Sequence, residues 1–135
     1  GGIDVDGNAS GLELINSVFP KFRLVPGQIL APKYSTNPAV SAVMKAKASN
    51  INQHFRAISL DDIDTDEVKK YTDAAAWKND NNYVSTYEIT CFPKVKLGDD
   101  TFHLSTQLAG LICQTDSLNE DIPYVSPSNK SLQFI

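Results

Sequence analysis

Gln28-Ile29-Leu30-Ala31, closed by Pro32, then Asn37-Pro38-Ala39-Val40, then Phe55-Arg56-Ala57-Ile58-Ser59-Leu60, read in order as strand, helix and strand. The first strand follows the turn signal Pro26-Gly27. Asn37 suits a helix N-cap, and Pro38 suits the first helical position, where a missing N–H costs nothing. Val40, Val43, Met44 and Ile51 form one apolar stripe along a helix expected to end near His54, with Lys45, Lys47 and Asn50 on other faces. Asp61-Asp62 should break the second strand. A second helix should begin at Thr65, with Asp66 and Glu67 favourable in its first turn and Val68, Tyr71 and Ala75 turned inward. Past the polar loop Asn79-Asp80-Asn81-Asn82, Tyr87 to Phe92 alternates Tyr87, Ile89 and Cys91 as a third strand. Strand, helix, strand, helix, strand is the order of an α/β domain with a mainly parallel sheet and helices on both faces.

Outside this frame, Ser10 to Phe19 carries Leu12, Ile15 and Phe19 at helical spacing, and Pro20 should stop that helix. Val95-Lys96-Leu97 and Thr101-Phe102-His103-Leu104 look like the arms of a ribbon around Gly98-Asp99-Asp100. Ser105 should cap a last helix with the stripe Leu108, Leu111, Ile112 and Leu118. From Pro123 the chain reads as extended and turn-rich. No repeat or low-complexity segment interrupts it.

The 135 residues make one domain, long enough to bury its own core. With 41% hydrophobic and 21% charged residues, the composition is that of a folded globular chain. The formal net charge of −4 recommends neither nucleic acid nor anionic lipid as a partner. No apolar run approaches the ~20 residues that span a bilayer, and the acidic, Gly-rich start is not a signal peptide. Cys91 and Cys113 sit among apolar neighbours and read as small buried hydrophobes that fit a reducing cytoplasm. A disulfide between them is the alternative, if both face one core layer.

Candidate chemistry is sparse. Asp4, Asp6 and Asn8 alternate as in a calcium loop, but an EF-hand needs Gly at its sixth position and Glu at its twelfth, where Ala9 and Ile15 stand. A solvated turn is the better reading. The acidic run Asp61, Asp62, Asp64, Asp66 and Glu67 falls at the carboxyl end of a strand, where open α/β sheets bind ligands. It is read as a solvated strand-to-helix loop; a Mg²⁺-dependent site is the competing reading. No glycine-rich phosphate loop follows any strand, so no nucleotide cofactor is expected. Gly110 lies inside the last helix, where Gly costs ~1 kcal/mol against Ala, and close approach of that helix to the sheet would explain it. Asn8-Ala9-Ser10 and Asn129-Lys130-Ser131 fit the glycosylation pattern, which a cytoplasmic product would leave unmodified.

Four segments in a fixed order carry a family resemblance: Gly1-Gly2-Ile3-Asp4-Val5-Asp6-Gly7 with Gly11-Leu12-Glu13-Leu14; Phe92-Pro93-Lys94-Val95-Lys96-Leu97; Ala109-Gly110-Leu111-Ile112-Cys113-Gln114-Thr115-Asp116; and Val125-Ser126-Pro127-Ser128-Asn129-Lys130. Together they resemble the tail sheath proteins of contractile bacteriophage tails. Between Gln28 and Phe92 the match is limited to element order, Leu30-Ala31-Pro32 and Pro38-Ala39-Val40. The resemblance implies a subtilisin-like α/β domain, a three-layer sandwich with an added β-ribbon. It implies a structural protein of a phage, a prophage or a phage-tail-like particle, assembled in the host bacterial cytoplasm and located in the virion tail. Many copies would form a helical sleeve around the tail tube protein, between baseplate and tail terminator, and contraction would drive the tube through the target envelope. A sheath-like component of a secretion system is a weaker variant.

Sheath proteins are longer than 135 residues, and this chain opens on Gly1-Gly2 and stops at the apolar Leu132-Gln133-Phe134-Ile135. It therefore reads as a fragment, 1–135, expected to be monomeric alone. A subtilisin-like fold also invites a search for a triad. Only His54 and His103 are available, neither in a His-Gly-Thr setting, and no Gly-Thr-Ser segment exists. Both histidines read as structural, with no catalytic, cofactor or metal residues assigned and no enzymatic activity expected. The alternative is a flavodoxin-like enzyme or ligand-binding module using Asp61–Glu67 or the Asn79–Asn82 loop.

Overall fold

The computed structural model describes residues 2–132; Gly1 and the apolar end 133–135 lie outside them. A short ribbon opens the chain, with β1 (Gly2–Ile3) antiparallel to β2 (Ala9–Ser10). Its turn is closed by Asp4, whose carboxylate accepts from the Asn8 and Asp6 amides at 2.7 and 3.0 Å. A 3-10 helix (Gly11–Ser17) runs into α1 (Val18–Phe22). Pro20 does not stop this helix as its sequence suggests. It lies in the first turn of α1, where N–H groups lack intrahelical partners anyway. The stop comes at Arg23, left-handed at φ 59°.

The parallel sheet follows the expected order. β3 (Gln28–Leu30), β4 (Ile58–Asp62) and β5 (Glu88–Cys91) pair with β4 central. α2 (Pro38–Ser49) links the first two and packs on them, and Asn37 caps it as read, accepting from the Ala39 amide at 2.9 Å. Ile29, Met44, Ala48, Ile51 and Ala57 make the core, with Leu12, Ile15 and Phe55 against it. Val43, placed on the inner stripe by periodicity, is 47% exposed, and Ser41 is buried in its place. The helix ends at Ser49, before the expected His54.

The main departure is the acidic run. Asp61 and Asp62 do not break β4; they are its last two residues, and the strand starts at Ile58 rather than Phe55. The helix expected at Thr65 is a turn, and α3 (Tyr71–Asp80) begins six residues later. Val68 is buried as expected, but Tyr71 is 82% exposed and α3 buries no residue fully.

After a cis Phe92–Pro93 bond the ribbon forms, β6 (Val95–Leu97) against β7 (Asp100–Phe102), its second arm taking in Asp100 and ending before His103 and Leu104, which the sequence pattern places in it. α4 (Leu104–Ser117) then packs on all three strands of the parallel sheet. Its N-cap is His103, not Ser105. Leu111 is buried and Leu108 and Ile112 are half-buried, whereas Leu118 is exposed. Gly110 faces away from the sheet: a Cβ there would meet nothing within 4 Å, so close approach does not explain it. Both cysteines are free; Cys91 is buried and Cys113 exposed, contrary to the shared core layer. The domain is thus a mixed α/β unit around a three-stranded parallel sheet, and among the described residues no helix is long and apolar enough to cross a membrane.

Candidate functional site

Strand alternation sends Asp61 and Asp62 to opposite sides of the sheet, and each meets a different helix. Asp62 faces α4. Its Oδ1 accepts from the Ser105 amide at 3.0 Å, and its Oδ2 accepts from the Ser105 hydroxyl at 2.5 Å. α4 has no capping side chain of its own. A carboxylate from the central strand therefore does that work at the end of the helix where negative charge is favoured. Ser35 completes the shell: its hydroxyl accepts from the Asp62 amide at 3.1 Å and stands 3.5 Å from Oδ2. His103 Nδ1 lies 3.4 Å from the same carboxylate without making a hydrogen bond.

Asp61 faces α2. Its Oδ2 accepts from the Ser59 hydroxyl at 2.6 Å, while Oδ1 has no partner among the described residues. Beside it on β5, in register, is Thr90, whose hydroxyl is likewise buried and unpaired. Glu88, with a fully buried side chain, accepts from Ser41 at 3.2 Å and from the Ser85 amide at 3.1 Å. Lys45 supplies the local cation, 3.7 Å from Glu88, bonded to the Asn82 carbonyl and lying over the Tyr83 ring. Tyr83 is itself buried and donates to the Ser35 carbonyl at 2.7 Å.

Burial pushes the Asp61 acid up to about 7, with Glu88 adding to the rise and Ser59 and Lys45 opposing it. Burial likewise lifts the Cys91 thiol to about 12, helped by the charges of Asp62 and Asp61, so this sulfur stays protonated and unreactive. Tyr83 rises to about 12 for the same first reason.

The rest of the acidic run is peripheral. Asp64 closes a local turn through the Asp66 amide at 2.7 Å, Asp66 forms an exposed pair with Lys69, and Glu67 accepts from the Trp77 indole at 2.7 Å. His54 lies exposed in a turn, far in sequence from His103 and not joined with it in any site. Asn79 and Asp80 end α3, with Asn81 and Asn82 in the turn behind them. Asp4, Asp6 and Asn8 form the self-bonded turn described above, which holds Asp4 below its ordinary range, mainly through the Asn8 amide. Among the described residues, no group of three or more His, Cys, Asp or Glu is placed to hold a metal ion.

Sequence reading passed over Glu88, Lys45 and the serines Ser35, Ser41 and Ser59. The available signal was Ser59 two residues before Asp61, a hydroxyl on the same strand face as a carboxylate. Other parts of the described surface carry clefts. One of about 560 Å³ is lined by Asn16, Ala46, Lys47, Asn50, Asn52 and Gln53. Two mostly apolar ones, of about 400 and 350 Å³, share Ile58, Ile112, Asp116 and Pro123 beside α4. No family model, curated protein or solved structure matches this chain.

Proposed function

We propose that this chain is the α/β domain of a contractile tail sheath subunit, built as a three-layer sandwich, whose work is done by its surface in contact with other copies. The observation that carries the reading is the use made of the acidic run. Asp61 and Asp62, the residues best placed for chemistry at the end of a central parallel strand, are closed off from solvent, Asp62 tying β4 to α4 and Asp61 buried on the α2 side of the sheet. A module working through these carboxylates needs a substrate to reach them, so the flavodoxin-like alternative is the weaker one. The order of parts also supports the sheath reading: Phe92-Pro93 leads into a ribbon, then α4, then an exit with Leu118, Ile122 and Tyr124 exposed, apolar groups of the kind a neighbouring subunit covers. Repeated heterologous contacts of one surface with another generate an open helical sleeve.

Contractile particles purified from the organism that encodes the chain test this directly. Quantitative mass spectrometry should find its peptides in large molar excess over baseplate components. Particles that lack these peptides, or carry them at baseplate stoichiometry, would overturn the proposal.

A further inference from the structure

The polar cleft at the C-terminal end of α2 has a chemistry that neither the acidic cluster nor the sheath reading uses. Four of its six lining residues, Asn16, Asn50, Asn52 and Gln53, are carboxamides, each offering donors and an acceptor without charge. Its one ammonium, Lys47, is neutralised by Glu13 at 2.5 Å. Ala46 is its only apolar residue. Such a lining rejects ions and apolar groups and matches a neutral ligand that both donates and accepts. An extended peptide would also need apolar or charged subsites for its side chains, and the cleft supplies none. A volume of about 560 Å³ lies within the range of ligand pockets.

The backbone gives a second, independent observation. Asn52 and Gln53 are consecutive left-handed residues, at φ 52° and 63°, inside a turn closed by the His54 amide on the Ile51 carbonyl at 3.1 Å. Positive φ at both central residues is the type I′ pattern, which favours Gly at the second. Gln53 carries a steric penalty there that Gly would not. The turn is held in place by the Asn52 amide, which donates to Asn16 Oδ1 at 3.1 Å. A strained residue maintained on the wall of a cleft points from geometry to use.

We propose that this cleft binds a neutral, hydroxyl-rich ligand, a saccharide unit, with the carboxamides of Asn50, Asn52 and Gln53 meeting its hydroxyl groups. The inference stands whether or not the chain is a sheath domain. The test is a ¹H–¹⁵N titration of the protein with glucose, N-acetylglucosamine and the disaccharide of each, with triglycine as the peptide control. At least one sugar should shift the side-chain NH₂ signals of Asn50, Asn52 and Gln53 saturably, with Kd on the order of 1 mM. Gln53→Gly should weaken that binding about tenfold or more while raising the melting temperature, because it relieves the turn. The absence of a saturable shift with every sugar would overturn the proposal, as would equal binding of triglycine. Unchanged binding in the better-folded Gln53→Gly would do the same.

Discussion

At the residue scale, two adjacent carboxylates in one strand meet different surroundings on the two faces of the sheet. Asp62 is surrounded by donors and caps a helix; Asp61 has one hydroxyl and a carboxylate neighbour. Because Asp61 is lifted to about 7 from an ordinary 3.8, the folded state holds its proton more tightly than the unfolded chain does. The stability tied to that proton is complete below about pH 4 and is lost as pH rises through about 7. Asp61→Asn, which mimics the neutral acid, should therefore be more stable than the parent at pH 8 by about 2–4 kcal/mol, and equal to it near pH 4. Denaturant midpoints at the two pH values measure this, and a parent profile with no such gap would show that Asp61 is ionised at neutral pH. Asp62→Ala should instead cost about 2–3 kcal/mol, through an uncapped α4 and a stranded Ser105 hydroxyl. Asp66→Ala, an exposed member of the same run, should stay within about 0.5 kcal/mol.

Among the elements, the legible ones were those whose signals are local. The Asn37-Pro38 cap, the Gly98 ribbon and the three strands can be read from adjacent residues, and all are present. The end of β4 was not legible, because Asp61-Asp62 looks like a strand breaker until partners distant in sequence appear: Ser105 across 43 positions, and Ser35 across 27. The same long-range pairing hid the candidate site, since nothing near Glu88 in sequence says that α2 will bury it against Lys45. Gly110 was misread for a related reason: apolar neighbours suggested an inner face, whereas the open space around it leaves only the entropic cost of Gly in a helix. Gly110→Ala should thus stabilise the domain by about 1 kcal/mol, and a loss on thermal or chemical denaturation would place that position against a neighbour. α3, which buries no residue fully, should exchange its amides through local opening, while those of α2 and β4 wait for global unfolding. Equal protection across the three would contradict its peripheral place.

At the scale of the whole molecule, a small core around Ile29, Met44, Ala48 and Ile51 is supplemented by polar ties from the sheet to a helix on each side, Asp62 of β4 to α4 and Glu88 of β5 to α2. Those ties fix α2 and α4 relative to the sheet and leave the ribbon and residues 118–132 on the outside. The sheath role proposed above places the work of such a unit on outer surfaces repeated from copy to copy. Cryo-electron microscopy of tail particles from the organism that encodes the chain puts that to the most direct test. The account predicts this α/β unit, with β4 central in its parallel sheet, repeated along a helical sleeve around a tube and joined to its neighbours through outer surfaces. A sleeve built from a different chain, with no density for this fold, would contradict it.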